Sequence, residues 1–251
     1  MDFSKAILGL LALGATITGA LAETQTQRVR YDVSVLGLPI ARAVLESRIN
    51  EAGFAISGSF ASAGLARIFD KTDGTISVTG RFNGGESQPQ DYTLSYVSGK
   101  KKQLTRIRFN GGKVANTVNE PPLRKHADWV ELKEEHLVGV SDPLSALLLP
   151  AASREQVCNR TVRVYDGEAR IDLVLQPAPP REQFSGAEVT CIAKFVPVGG
   201  YRPNHSTIKH LRDRAKIRIG FARLGNQRLY SPVEASIGTK IGPVHVRARP
   251  A

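Results

Sequence analysis

Sulfur, aromatic rings and long apolar runs are all scarce in this chain. Its 251 residues include two Cys, one Met and one Trp, and aromatic residues make up 6% of them. Neither cysteine has a second Cys or a His at ligand spacing, so we expect no metal and no cofactor. The few aromatics, and a C-terminus (RARPA) without an aromatic strand, disfavour an outer-membrane barrel, which carries aromatic girdles.

The one long apolar run lies at the N-terminus. Residues 6–20 carry no charge, a Lys precedes them, and Ala20-Leu21-Ala22 is the small-x-small pattern that signal peptidase recognises. The run is shorter than the about 20 apolar residues of a membrane span. We therefore predict a cleaved signal peptide over 1–22, with an uncleaved anchor as the alternative. The rest, 23–251, is expected to be a single soluble β-barrel-like domain in the periplasm.

Negative charge is the scarcer sign. Lys and Arg number 34 against 23 Asp and Glu, which gives a net charge of +11 and a pI near 9.9. In a cytosolic protein such a charge would suggest nucleic acid as the partner. For an exported chain we expect no nucleic-acid partner, because the polyanions there are lipid headgroups, lipopolysaccharide and cell-wall polymers. A charge that serves only solubility is the alternative.

Cys158 and Cys191 are predicted to form a structural disulfide. Two cysteines in an exported chain are more often paired than free, and no motif for thiol catalysis accompanies either of them. Closing a loop of about 30 residues stabilises a fold by roughly 3–4 kcal/mol in the chain-entropy estimate. We expect the two cysteines on neighbouring or next-neighbouring strands of one sheet.

Alternation of apolar and polar residues predicts β-strands along nearly the whole chain. It begins with Val29, Tyr31, Val33 and Val35 and continues in the segments that follow. Pairs that accept positive φ at tight turns separate these segments. They are Asp73-Gly74, Asn83-Gly84, Asn110-Gly111 and Asp166-Gly167.

The predicted fold is all-β. A chain of this length in about ten to fourteen antiparallel strands has to close, curl or split. We predict a single antiparallel curled sheet that forms an open β-barrel or spiral, with one or two short helices. The helices are expected at 62–69 and 141–150, the second capped by Ser141 or Asp142.

Two charged stretches are candidate sites. The acidic one surrounds Trp129 and would suit hydrolysis of a glycan if its carboxylates converged; a solvated acidic edge is the simpler interpretation. Its members are Asp128, Glu131, Glu134 and Glu135. The basic one is a candidate docking face for an anionic partner, with a solvated strand face as the alternative. Its members are Lys209, Arg212, Arg214, Lys216 and Arg218.

The order of these features resembles an exported bacterial family known as domain of unknown function 3108. The similarity lies in an opening strand pair (YDVSVLGLPIARAVLE), a DPLSALL segment and a Cys-initiated strand that runs into VYDGEARIDLVL. A second Cys and a closing SPVEASIGTKIGPV complete it. The resemblance implies a curled, open β-barrel or spiral in the periplasm, broadly like periplasmic lipoprotein carriers. It implies no catalytic residues.

These observations favour a non-enzymatic protein of the cell envelope. We expect it to be a monomer that binds an apolar ligand, a lipid or an envelope partner, with contact to a membrane surface or the cell wall through the basic face. Two alternatives stay open. One is a cell-wall glycan hydrolase that uses the acidic residues around Trp129, and the other is a purely structural partner-binding module with a filled interior.

Overall fold

The computed structural model describes residues 24–64, 66–69, 71–225 and 228–251; the predicted signal peptide lies outside these ranges. The described residues form fourteen strands and three α-helices. None of these helices is long and apolar enough to cross a membrane. The strands are β1 (Gln25–Val35), β2 (Leu38–Ile49), β3 (Gly53–Ser62), β4 (Thr72–Asn83), β5 (Glu86–Ser98), β6 (Lys101–Asn110), β7 (Lys113–Glu120), β8 (Leu149–Pro150), β9 (Arg160–Tyr165), β10 (Arg170–Pro177), β11 (Val189–Gly199), β12 (Ile217–Arg223), β13 (Leu229–Thr239) and β14 (Gly242–Pro250). The helices are α1 (Ala66–Phe69), α2 (Arg154–Cys158) and α3 (Ser206–Asp213).

All fourteen strands belong to one antiparallel sheet that curls without closing. The order across it is β7-β6-β5-β4-β3-β2-β1-β14-β13-β12-β11-β10-β9, with β8 paired to β13. Because β1 pairs with both β2 and β14, the first and last strands meet in the middle of the sheet. The edges are therefore β7 and β9, which come from the middle of the chain. The predicted open, curled sheet is confirmed.

Inward side chains of β3 to β6 form the first of two cores. Phe54, Ile56, Val78, Tyr92 and Ile107 are each at most 5% exposed, and the residues between them along each strand point outward, as the two-residue period of a strand requires. One predicted turn is wrong: Asp73-Gly74 lies inside β4. Gly74 fits there because the ring of Phe60 and the Cβ of Tyr96 occupy the space that a side chain would need.

Residues 130–151, called the plug here, cross the inner face of the sheet. Val130 N–H donates to Tyr201 O at 2.9 Å and Ala151 N–H donates to Arg228 O at 3.0 Å, which holds both ends. Between them, Leu144 and Leu148 are buried in the first core. The plug therefore fills space that the curled sheet would otherwise leave open.

The prediction of a helix over 141–150 is wrong. Only a 3-10 turn, Ser145–Leu147, is present, and β8 follows at once. Asp142 Oδ1 begins the turn as a cap should, accepting N–H groups of Leu144 at 2.8 Å and Ser145 at 3.1 Å. The turn ends because Leu149 and Pro150 pair with β13 instead of continuing a helix.

The disulfide lies in the second core. Cys158 and Cys191 are bonded, with Cα atoms 5.2 Å apart, and both are buried with Leu175 and Phe221. The predicted pairing is confirmed, but Cys158 ends helix α2 instead of lying on a strand. The bond therefore fastens α2 to β11 and does not join two strands.

Candidate functional site

The two edges of the sheet meet along a seam that side chains close. Tyr165 Oη, on β9, donates to Thr117 Oγ1 of β7 at 3.2 Å. Asn119 Nδ2, also on β7, donates to Gly167 O at 2.8 Å, while its Oδ1 accepts from Thr105 at 2.7 Å. No backbone pairing between β7 and β9 is present among the described strands. A few polar contacts therefore close the gap between β7 and β9 where Tyr165 faces Thr117.

Farther along the seam the plug separates the two edges. Val138 bridges Lys113 of β7 in antiparallel fashion, and Ser141 bridges Val164 of β9 in parallel fashion. Ser141 N–H donates to Arg163 O, and Tyr165 N–H donates to Ser141 O, both at 2.8 Å. Residues 138–141 thus act as a short spacer that spreads the edges and opens a cleft beside it.

This opening, called the seam cleft here, has a volume of about 780 Å³. Its walls are the β4–β5 turn at 84–87, the plug at 139–150, and the segment 155–163 that runs from α2 into β9. Ser87 Oγ donates to Leu148 O at 2.9 Å, which ties the first wall to the second. The cleft is therefore built from three segments that are far apart in sequence.

One wall of the seam cleft is a free strand edge. In a strand, alternate residues direct their N–H and C=O groups to the same side. Because Arg163 O and Tyr165 N–H point at Ser141, the N–H and C=O of Thr161 and the N–H of Arg163 point to that side as well. These three groups have no backbone partner within the described chain. An extended chain in the cleft could pair with them.

Two arginines of β9 have different roles in the cleft. The guanidinium of Arg160 is occupied, since Nη2 donates to Pro150 O at 2.9 Å and Nε to Gln156 O at 3.0 Å; burial lowers its pKa. Arg163 is exposed and makes no ion pair with any described carboxylate. Arg163 is thus the cation available to a ligand. Burial, and then the charge of Arg163, lower the pKa of the neighbouring Arg170 to about 10.

Buried polar groups lie behind the cleft. Asp142 is fully buried, and burial raises the pKa of its carboxyl group despite the hydrogen bonds that lower it. Asp142 Oδ2 and Ser145 Oγ make no hydrogen bond of good geometry. Burial and then the charge of Asp142 raise the pKa of Tyr92. The sequence signalled Asp142 only as a cap, not as a buried acid.

The acidic residues around Trp129 pair with separate cations, and they do not line the seam cleft. Asp128 pairs with Arg202, and the glutamates pair with three further cations. The pairs are Glu131–Lys125 at 2.7 Å, Glu134–Lys113 at 3.3 Å and Glu135–Lys133 at 3.7 Å. None of the four carboxylates lines the seam cleft. Each carboxylate therefore has a cation of its own at the surface. No group of three or more metal-ligating residues is present in the described ranges.

The basic stretch is divided between two sides of the sheet. Ile208 and Leu211 of α3 pack on the core that contains Ile217, so Arg218, the next residue of β12, points to the opposite side. Its guanidinium lies over the Phe184 ring, 4.9 Å from the centroid. The other four residues belong to α3 or follow it, and Arg212 is bound to its neighbour Asp213 at 2.7 Å. Lys209, Arg214 and Lys216 are exposed.

A curled, open antiparallel sheet with a polar cleft between its edge strands defines the class of this protein. The chain belongs to the family described as "Protein of unknown function (DUF3108)", whose model matches residues 30–249. A solved structure to which the chain is similar is that of the beta-barrel-like protein of domain of unknown function DUF1849 from Brucella abortus. It is 12% identical, with a TM-score of 0.44, and the match covers 91% of this chain and 98% of that one. No curated protein matches.

Proposed function

We propose that this protein is a non-enzymatic binding protein of the exported compartment and that the seam cleft holds an extended segment of an envelope protein. The observation that carries the proposal is the free edge of β9 at Thr161 and Arg163, which forms one wall of the cleft. The compartment is the one expected from the N-terminal segment, and a disulfide is characteristic of it.

A free strand edge is a recognition element with known physics. An added strand gains affinity from main-chain hydrogen bonds and specificity from alternate side chains. Proteins usually block such edges, because they attract any extended chain. Val138 and the side chains of the seam cover parts of β7, whereas Thr161 of β9 faces an open cleft. A volume of about 780 Å³ is within the range of about 300–1,000 Å³ of ligand sites.

Charge specifies the ligand further. Arg163 makes no ion pair with a described carboxylate and can form a bidentate contact with an acidic side chain or a C-terminal carboxylate. The residues that line the cleft include no His and no Cys, and the Ser141 hydroxyl is directed at Ser87 O, 3.5 Å away. These features favour binding over nucleophilic catalysis.

The interior supports a protein partner more than an apolar ligand. Between the plug and the inner face, a small space lined by Tyr31, Leu45 and Leu147 has a volume of about 30 Å³. A space of that size holds about one water molecule, and a lipid chain does not fit in it. Of the alternatives that the sequence left open, the partner-binding module is therefore preferred over an apolar ligand held there.

Peptide selection on the purified protein tests the proposal. Peptides selected from a library of extended, acid-containing sequences are titrated by fluorescence anisotropy against the wild type, Thr161→Pro and Thr161→Val. Proline removes the outward N–H and is tolerated at a free edge, whereas valine keeps the N–H. We expect Thr161→Pro to weaken binding about tenfold or more and Thr161→Val to leave it nearly unchanged. Selected peptides that bind both variants equally would overturn the proposal.

A further inference from the structure

Several hairpin connections lie together at one end of the sheet. Val35 pairs with both Leu38 and Val244, so the β1–β2 and β13–β14 turns extend beyond the same row of residues. The β3–β4 and β5–β6 connections lie at that end too, because neighbouring strands are antiparallel. The β4–β5 turn, which borders the seam cleft, lies at the other end. The end that carries the β1–β2 turn is called the tip here.

Most of the exposed large apolar side chains are at the tip. Seven large hydrophobic residues are exposed in the described chain, and five of them lie there. They are Leu36 (70%), Leu38 (56%), Ile68 (76%), Val97 (41%) and Ile241 (73%). They come from different connections, so they are not one face of a single element. Scattered exposed apolar residues need no explanation, but their concentration at one end of the sheet does.

Leu36 is placed where the fold gains little from a leucine. Its φ is +50°, in the left-handed region, and Gly37 follows at φ +80°. Asn, Asp and Gly are the residues that suit such a hairpin turn, and a leucine there is unfavourable by about 1 kcal/mol. Burial does not offset that cost, since the side chain is 70% exposed. Backbone strain of this kind is found preferentially at functional positions.

Leu36 and Ile241 are neighbours across the two hairpins. A Cβ on Gly242 would lie 2.7 Å from Leu36 Cδ2, so the leucine occupies the space that Gly242 leaves beside Ile241. Gly242 itself has a φ of +122°. The two exposed side chains are therefore presented together by adjacent, hydrogen-bonded hairpins.

Basic residues surround the apolar ones. Lys240 is exposed next to Ile241, and Gly238 N–H donates to Lys216 O at 2.9 Å, which brings the basic end of α3 to the same place. On the other side, three consecutive exposed lysines, at 100–102, lie in the β5–β6 turn and at the start of β6, next to Val97. None of these lysines pairs with a carboxylate of the described chain.

We propose that the tip docks on an anionic phospholipid surface, with Leu36 and Ile241 inserted among the lipids and the lysines in contact with headgroup phosphates. Protruding aliphatic residues surrounded by Lys are what an interfacial anchor requires. Juxtamembrane cations strengthen attachment to anionic lipid. A protein partner fits less well, because the centres of protein interfaces are rich in Trp, Tyr and Arg, and the five exposed apolar side chains described at the tip are aliphatic.

This docking goes beyond the proposed function, and it would set the orientation of the seam cleft relative to the membrane. With the tip on the membrane, the seam cleft at the opposite end faces away from the lipid. A bound segment of another protein would then approach from the aqueous side. The two sites are separate, so either one can fail experimentally without the other.

Vesicle flotation of the protein without the predicted signal peptide (1–22) tests the docking. Vesicles contain phosphatidylethanolamine with 30% phosphatidylglycerol, and pure phosphatidylcholine vesicles are the comparison. We expect binding to the anionic vesicles that weakens in high salt and little binding to phosphatidylcholine. Leu36→Asn and Ile241→Asn should each weaken binding about tenfold, as expected for a lost buried aliphatic side chain, and Lys240→Gln should weaken it about fivefold.

Matched variants at the other end of the sheet are the controls. Val138→Asn removes an exposed aliphatic side chain, and Arg81→Gln removes an exposed cation there; both should bind as the wild type does. Thr161→Pro should also keep vesicle binding, which separates this proposal from the seam cleft. The proposal is overturned if anionic vesicles are not bound, or if Val138→Asn weakens binding as much as Leu36→Asn does.

Discussion

Tyr165 of β9 donates its hydroxyl hydrogen to Thr117 Oγ1 of β7 at 3.2 Å, and this contact joins the two edges of the curled sheet. Tyr165 is 5% exposed, and burial raises the pKa of its hydroxyl group. The backbone hydrogen bonds that would close a barrel are replaced here by side-chain contacts and by the plug. The seam is therefore the place where small changes in side chains should alter the stability of the fold.

Tyr165→Phe should lower the free energy of unfolding by about 1 kcal/mol, because it removes one buried hydrogen bond and leaves the ring in place. Urea unfolding followed by circular dichroism measures the change. Tyr96→Phe is the control, since Tyr96 is half-buried and its ring contacts Phe60. A loss at Tyr96 as large as the loss at Tyr165 would contradict the role of the seam.

Replacing both cysteines by serine should lower the free energy of unfolding by about 3–4 kcal/mol, because the disulfide restricts the unfolded chain. Cys158 and Cys191 are 33 positions apart. Adding a reductant should destabilise the wild type by a similar amount and leave the double variant unchanged. If the reduced wild type is as stable as the oxidised protein, the bond does not stabilise the fold.

Asp142 should make the protein less stable as the pH rises. Burial raises the pKa of its carboxyl group above the ordinary value of 3.8, so the folded state binds a proton that the unfolded state has already released. This contribution is fully present below about pH 3.9 and is lost as the pH rises through the folded-state pKa. Asp142→Asn should therefore gain stability relative to the wild type between pH 4 and pH 8.

Chemical unfolding across that pH range measures the difference for Asp142→Asn. The same substitution at Asp91, an exposed residue of β5, is the control for exchanging a carboxylate for an amide. A constant difference between wild type and Asp142→Asn at every pH would mean that the carboxyl group of Asp142 does not titrate in this way.

Leu36→Asn should keep or raise the thermal stability, because asparagine suits the left-handed conformation that Leu36 adopts. The expected gain is about 0.5–1 kcal/mol. Leu38→Asn, in extended backbone two residues later, should bring no gain. Thermal unfolding measures both. A marked loss of stability at Leu36 would mean that its side chain serves the fold and not the tip.

Local patterns predicted the strands well and the helices poorly. The alternation around Tyr31 and around Ile56 is a property of each strand alone, so it can be read without knowing its neighbours. Helix α3 was missed because Ile208 and Leu211 occur in a stretch dominated by cations. Eight residues are too few to form a stable helix alone, and this one is stabilised by packing of those two side chains on the second core.

The candidate sites depended even more on long-range packing. The basic residues from Lys209 to Arg218 are close in sequence, yet the sheet separates Arg218 from the residues of α3. The seam cleft is the reverse case, since it combines the β4–β5 turn, the plug and the start of β9. No local pattern signals that these three segments meet.

The amino-acid sequence by itself determined the all-β character, the pairing of the two cysteines and the excess of positive charge, because each depends on residue type and short-range spacing. Only the tertiary structure decided where the sheet ends and which residues share a surface. Those outcomes follow from the register and curl of fourteen strands, and a curl brings together residues that are far apart along the chain. The open edge at Thr161 and the exposed pair Leu36 and Ile241 are both products of that geometry.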